Sequence, residues 1–568
     1  MNYVAIGRQT ARRLYSIGKP FWVSSHAWKA LLLLITVLGL LFTVAAVNVY
    51  VSSIAGKFTT ALQAKDVSGY HFYLLMYAFA MIAGSPVVVL YQFLRTKLAL
   101  MWRRWLTQHF VDRYLDKRAY YRLSTRHDID NPDERMSQDV ETFCNSAVGL
   151  FIAILDAFVT VVSFVGVLWL ISVPLTFVAI GYSFLGCLLT IWIGNRLVNL
   201  QFQHTKLEAD LRYTLADVRR DVESIAFYRG EQSARKVIFK RIAEAIINLE
   251  LMMVLQRNLT FFTVNFNYLV VLIPAAIIAP LYFAGTMEFG DITRAGIAFG
   301  QVFGGMTLLI GQFTGISGFI ANINRLGSFV EILDEVEAEA KAPSSDGKGE
   351  IQILETDGKL VLDKVSVDVP NTERRLVADL DLMVGPGESL IIMGPSGSGK
   401  SSLLRAIAGI WKSGQGRIVR PRVEHLMFLP QRPFVPRSTL REAICYPITA
   451  ASRIASDVEL ESVLKLVNMP DLVERAGGLD IEQEWRDMLS LGEQQRLTIA
   501  RLILARPRFA FLDEATSALD ADNERLLYNL LKTLRTTVIS VGHKQSLVEH
   551  HQRILRLTGD GGWEVIKN

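Results

Sequence analysis

Gly394-Pro395-Ser396-Gly397-Ser398-Gly399-Lys400-Ser401 has the spacing G-x-x-x-x-G-K-S, and its flanks decide how it is read. The apolar run Leu390-Ile391-Ile392-Met393 predicts a strand before it, and Ser402 to Ala408 predicts a helix after it. Between the two, Gly394, Gly397 and Gly399 let backbone N–H groups turn inward around phosphate oxygens, and the helix aims its positive end at the same anion. Pro395, Ser396, Ser398 and Ser402 complete this candidate nucleotide cradle. In it Lys400 reaches the outer phosphates and the Ser401 hydroxyl ligates magnesium. A glycine-rich turn fitting the pattern by chance would need neither flank.

Working outward, 568 residues are too many for one core. With 51% hydrophobic residues, 20% charged residues and a mean hydropathy of +0.28, the composition points to a membrane protein with a substantial soluble part. A net charge of +5 is mild for this length and gives no indication of nucleic acid as a partner. Cys144, Cys187 and Cys445 lie far apart, with neither metal spacing nor an even count. The mixed, basic stretch Met1 to Lys29 does not read as a cleavable signal peptide.

Six apolar segments precede residue 325: Trp28 to Ala55, Phe72 to Tyr91, Ala147 to Leu170, Leu175 to Ile193, Leu259 to Phe283 and Ala295 to Ile320. Each approaches or exceeds the roughly 20 residues a helix needs to cross hydrocarbon. Basic residues before the first span, from Arg103 to Arg126 and from Arg196 to Arg257, place those segments in the cytoplasm, and an even number of spans returns the C-terminal half there. The connections Arg95 to Asn145 and Arg196 to Asn258 have a helical pattern, as solvated stalk or as coupling apparatus. Asn48, Asp156, Thr160, Ser163, Asn265, Asn267, Gln301, Gln312 and Asn322 interrupt the spans, either lining a wet cavity or bonding helix to helix. At Glu331 to Gly349 the chain turns acidic, then small and polar, which predicts a helix end and a linker.

Beyond the linker, strand and helix patterns alternate as in an α/β domain. Phe509 to Asp513 reads as an apolar strand ending in an acid that can hold magnesium, and Glu514 follows, able to polarise an attacking water. Ser490, Gly492 and Glu493 open a helix suited to gripping a terminal phosphate. Gln431 is placed to sense magnesium and water, Ser517 to Asp520 follow the acidic pair, and His543 after the strand Val538 to Gly542 can contact the outer phosphate.

This ordered set resembles the ABC transporter superfamily over almost the whole chain. The resemblance implies Walker A at Gly394 to Ser401, a Q-loop Gln431, a signature motif at Leu489 to Glu493, Walker B at Phe509 to Asp513, catalytic Glu514, a D-loop from Ser517 to Asp520 and an H-loop His543. The signature reads LSLGE where LSGGQ is commonest, and no Phe, Tyr or Trp lies between Asp363 and Met393 to stack on adenine, a role Arg374 or Arg375 can take by cation–π contact. In the membrane half, DNPDERMSQDV at Asp130 to Val140, with Glu134 and Met136 as departures, the segment Glu208 to Glu231 and the segment Tyr282 to Val302 are similar to SbmA/BacA-like proteins and to ABC subfamily D.

The implied architecture is a cytoplasmic N-terminal segment (1–29), an α-helical six-span transmembrane domain of ABC exporter type (30–330), a linker (331–350) and an α/β P-loop ABC ATPase domain (351–568). Asp130, Asn131, Pro132, Glu208, Glu223 and Glu231 belong to its coupling segments, Glu208 being either a gating acid or a stalk salt bridge. The implied cofactors are ATP and Mg2+, the implied partners a second copy of the chain, the lipid bilayer and a transported substrate. The implied function is ATP-driven transport across the bacterial inner membrane with both termini cytoplasmic. An importer of hydrophilic cargo such as peptides or cobalamin is the first reading, a translocator of acyl-CoA or another amphiphile the second, and a non-transporting anchored ATPase the third.

Overall fold

In the computed structural model the described residues are 3–125, 131–311, 313–341, 350–370, 372, 374–447 and 455–568. They form two compact units, Met1–Lys341 and Ala342–Asn568.

The first unit is all helical. Helix α1 (Tyr3–Val23) precedes α2 (Ala27–Gln63), α3 (Val67–Leu115), α4 (Val140–Ile171), α5 (Val173–Arg220), a short α6 (Val222–Tyr228), α7 (Glu231–Phe283), α8 (Phe289–Gly311) and α9 (Phe313–Lys341). The stretches 27–63, 67–115, 132–171, 173–192 and 231–283 are each long and apolar enough to cross a bilayer. The sixth apolar segment, Ala295 to Ile320, falls on α8 and α9, either side of residue 312; Gln312 lies outside the described residues. At 1.5 Å per residue, α3, α5 and α7 are about 70 to 80 Å long, more than twice the ~30 Å of hydrocarbon, so these helices continue well past any membrane boundary.

Two features of this unit add to the sequence reading. Residues 3–23 are an amphipathic helix: Ile17 and Phe21 are buried, and Phe21 stacks on Trp102 at 5.4 Å. The stretch expected to begin the linker at Glu331 is helical as far as Lys341. Its acids are paired: Glu331 with Arg13 at 2.8 Å, and Asp334 and Glu337 with Arg113, each at 2.6 Å. Leu333 and Val336, three residues apart on one face, are buried among them. An acidic run reads as solvated in sequence because its arginine partners lie hundreds of residues away. Residues 342–349 of the expected linker lie outside the described residues.

In the second unit a four-stranded sheet joins β1 (Gln352–Thr356), β2 (Leu360–Asp368), β3 (Arg375–Val384) and β5 (Gly414–Pro421) in the order β1-β5-β2-β3. A six-stranded sheet is built from β4 (Ser389–Met393), β6 (Leu426–Leu429), β7 (Phe509–Asp513), β8 (Thr537–Val541), β9 (Arg553–Leu557) and β10 (Trp563–Lys567). Its order is β10-β9-β4-β8-β7-β6, parallel except for β10. Helices cover it, so its central strands are buried on both faces, and β8 is buried at every position. Because β4 and β7 flank β8, their C-terminal ends deliver residues 394 and 514 to the same rim.

Behind this sheet lies a buried polar chain. The His551 Nδ1–H donates to the Leu547 carbonyl at 2.7 Å, leaving Nε2 to accept from the Ser540 hydroxyl at 2.9 Å, and Tyr528 Oη lies 3.0 Å from the same hydroxyl. Burial, opposed by the Leu547 carbonyl and aided by His550 and Lys532, pushes His551 down from 6.5 to about 4. A histidine that folds neutral contributes stability above its unfolded pKa and loses it as the pH falls through the folded one. Acid is therefore expected to remove about 3 kcal/mol from the ATPase unit between pH 6.5 and pH 4. Thermal unfolding of the full chain across that range should show the loss, and a His551→Asn variant should lack it; an equal slope in both would refute the assignment.

Candidate nucleotide site

The loop at residues 394–399 joins β4 to α10 (Lys400–Ala408), with Gly394, Gly397 and Gly399 at φ of 152°, 79° and 96°. At Gly399 a Cβ would stand 2.8 Å from Leu376 Cβ, so both conformation and space call for glycine. Lys400 Nζ donates to the carbonyls of Gly394 and Pro395 at 2.9 and 2.8 Å, folding its charge over the loop. Ser401 Oγ donates to Asp513 Oδ1 at 2.9 Å. Burial pushes the Asp513 carboxyl up, against the pull of Ser401 and of Arg405. A hydroxyl and a carboxylate held together from two elements are the hard oxygen donors magnesium takes, so Ser401 and Asp513 fit that ion, which would screen the phosphate charge.

Glu514 follows β7 in a left-handed conformation, φ 48°, and its N–H donates to the Val541 carbonyl at 3.1 Å. Its carboxylate accepts from Gln431 Nε2 at 2.8 Å, and His543 Nδ1 lies 3.8 Å from its other oxygen. Of the three residues read from sequence as catalytic, Gln431 and His543 thus both meet Glu514, although 83 and 29 positions from it. Gln431 touches Glu514 rather than Ser401 or Asp513. Of the two arginines considered for adenine, Arg375 is held by Asp368 at 2.8 Å, and Arg374 Nη2 reaches the Gly397 carbonyl at 3.3 Å, beside the phosphate loop.

Ser490 caps α11 (Leu491–Ala505) in a capping box with Glu493. Gly492 approaches the Ala518 carbonyl, to which its Cβ would come within 3.0 Å. Asp520 caps α12 (Ala521–Thr533), accepting from the Asn523 N–H at 2.8 Å. Among the described residues no hydrogen bond joins Ser490 or Glu493 to residues 394–402. Sequence reasoning passed over Gln495, fully buried, whose amide donates to Ser517 Oγ at 3.2 Å and accepts from the Ala518 N–H at 3.1 Å, locking the signature helix to the D-loop. It also passed over Arg501, buried on α11 and donating to the Ala443 and Phe434 carbonyls at 2.6 and 2.7 Å. For Arg501 the available signal was a charge inside the apolar run Leu497 to Leu504; Gln495, between Gln494 and Arg496, carried none.

Of the coupling candidates, Asp130 lies outside the described residues. Asn131, at φ 42°, and Pro132 open a short turn that leads through a π turn over Arg135–Asp139 into α4. That motif is anchored within its own unit: Arg135 donates to the Arg325 carbonyl at 2.8 Å, and Arg325 pairs with Asp139 at 3.1 Å. Glu208 is half-buried on α5. Glu223 on α6 and Glu231 at the start of α7 are exposed at the tip of the α5–α7 hairpin, beside Phe227 and Tyr228, which are 85% and 86% exposed.

Two family models match the chain: ABC transporter transmembrane region 2 over residues 20–283, and ABC transporter over residues 377–517. An uncharacterized ABC transporter ATP-binding protein of Synechocystis sp. is 45% identical over 95% of this chain and 82% of its own length. The lysosomal cobalamin transporter ABCD4 of Homo sapiens is 32% identical over 96% of this chain and 94% of its own. In fold, the chain is similar to a bacterial Atm1-family ABC exporter solved with ATP bound, at a TM-score of 0.71 and 18% identity, covering 93% of each chain. The chain belongs to the ABC transporters, homologous to members of subfamily D, and is a multi-pass membrane protein of exporter-type fold whose ATPase domain uses ATP and Mg2+ to drive transport.

Proposed function

We propose that the chain is one half of a homodimeric transporter of the bacterial inner membrane, with cytoplasmic termini, importing hydrophilic cargo such as cobalamin or peptides. The observation that carries the dimer is the split between the phosphate loop and the signature helix. Each chain has one of each, and among the described residues the Ser490 hydroxyl bonds within its own capping box, so a phosphate held by Gly394 to Ser401 is gripped by Ser490 and Gly492 of a second copy. Within each site Ser401 and Asp513 hold magnesium, Glu514 polarises the attacking water, His543 and Gln431 orient it, and Asp520 lies on the segment the partner meets. Two such sites close the ATPase domains on binding and reopen them on hydrolysis.

The exposed aromatic tip at Phe227 and Tyr228 favours Glu223 and Glu231 as part of a coupling contact, since two large rings in water gain by being covered. The name of the human relative, alike over nearly its whole length, supports cobalamin as cargo. Vesicles with the ATPase domains outward, loaded in parallel with cobalamin, a peptide or an acyl-CoA, test cargo and direction together. An importer should release cobalamin or peptide toward the ATP side, and Glu514→Gln should not sustain that release. Movement of acyl-CoA alone, released from loaded vesicles or taken up when offered outside them, would establish the amphiphile reading, and ATP hydrolysis without flux of any cargo would favour the anchored ATPase.

A further inference from the structure

The signature segment carries glutamate where the commonest form has glutamine, and the structure shows what that charge does. Glu493 Oε2 accepts from the Ser490 N–H and from the Ser490 hydroxyl, each at 2.9 Å. These are the donors at a helix N-terminus that an incoming phosphate would use, so the carboxylate both occupies them and adds a negative charge beside the anion. Its other oxygen is taken: Arg475 Nη1 donates to Glu493 Oε1 at 2.6 Å, from the end of a separate one-turn helix, Leu472–Arg475. Glu493 is held down to about 2 by Arg475 and Ser490 against the upward push of its own burial, and so remains charged.

Capping alone does not call for this arginine. Thr439 and Glu442 form the same reciprocal box at another helix of the unit, and among the described residues Glu442 has no basic partner. What distinguishes Ser490 is its place in the signature motif. We propose that Arg475 is a positioning residue for ATP: by neutralising the Glu493 carboxylate to which the Ser490 hydroxyl donates, it lets the terminal phosphate held by the second copy approach Ser490 without facing an uncompensated negative charge. The inference rests on the two-copy site above and adds a residue 15 positions upstream of Ser490 to it. Arg475 and Glu493 act as a pair, so removing the arginine leaves an unneutralised carboxylate where a phosphate must approach. The same removal does no such harm once the carboxylate is gone.

A double-mutant cycle on the full-length reconstituted protein reads this directly. Arg475→Leu is expected to lower kcat/KM for ATP about tenfold, an effect typical of one uncompensated like charge near a partly exposed anion site. In the Glu493→Gln background the same Arg475→Leu change is expected to cost less than about twofold. An equal loss in both backgrounds would overturn the proposal, because it would make Arg475 a structural support for its helix. Should Arg475→Leu fail to fold, Arg475→Gln replaces it in the same cycle. Ser490→Ala separates the two levels: if it leaves ATPase activity intact, the signature contact itself fails and the proposal with it, whereas a Ser490→Ala loss without coupling between Arg475 and Glu493 sinks the Arg475 role alone.

Discussion

Glu514→Gln is expected to lower ATP hydrolysis by at least about a hundredfold while leaving ATP binding in place, the range general-base removal produces. The structure gives the reason for the asymmetry. Among the described residues no hydrogen bond joins Glu514 to the phosphate loop; its carboxylate faces Gln431 at 2.8 Å and the exposed His543, and its backbone is fixed by the Val541 carbonyl. An amide of the same shape keeps the left-handed turn and the packing, and it accepts from Gln431 through its own oxygen, so the loop, Lys400 and the Ser401–Asp513 pair are undisturbed. What it loses is the ability to draw a proton from water. Trapping of labelled ATP alongside phosphate release distinguishes the outcomes. Hydrolysis at the wild-type rate would move the base elsewhere, and loss of binding would mean the carboxylate supports the cradle itself.

Gly290→Ala is expected to disrupt the membrane unit, costing about 3 kcal/mol by overpacking. Helices α2 and α8 meet at Gly56 and Gly290 with backbone against backbone: the Gly290 N–H donates to Thr60 Oγ1 at 3.0 Å, and Thr60 Oγ1 in turn reaches Glu288 Oε2 at 3.4 Å. A Cβ on Gly290 would fall inside the Gly56 carbonyl, which belongs to a helix and cannot rotate aside. The helices would have to separate, and the Thr60 bond would break with them. Gly296 lies on the same helix with nothing within 4 Å of its Cβ, so Gly296→Ala is the control. Thermal unfolding of the detergent-solubilised full chain should show Gly290→Ala lowered well below both wild type and the control; an unchanged midpoint would mean the crossing yields.

The nucleotide machinery was legible in sequence because it is made of short contiguous words. Phosphate binding needs glycines, a lysine and a hydroxyl within eight residues, since a loop must wrap one anion, and a buried parallel strand needs an apolar run. Gly394 to Ser401 and Phe509 to Glu514 therefore announce themselves, and a span of hydrocarbon does the same by length alone. Tertiary structure decided what depends on partners far along the chain. Glu331, Asp334 and Glu337 are paired on a helix that runs to Lys341 because Arg13 and Arg113 return to meet them. Residues 3–23 are a packed helix because Phe21 finds Trp102. The charge of Glu493 is paired because Arg475 reaches it from a separate helix. A charge in sequence has only a sign; its energy depends on what stands within a few ångströms, and that distance exists only once the chain has folded.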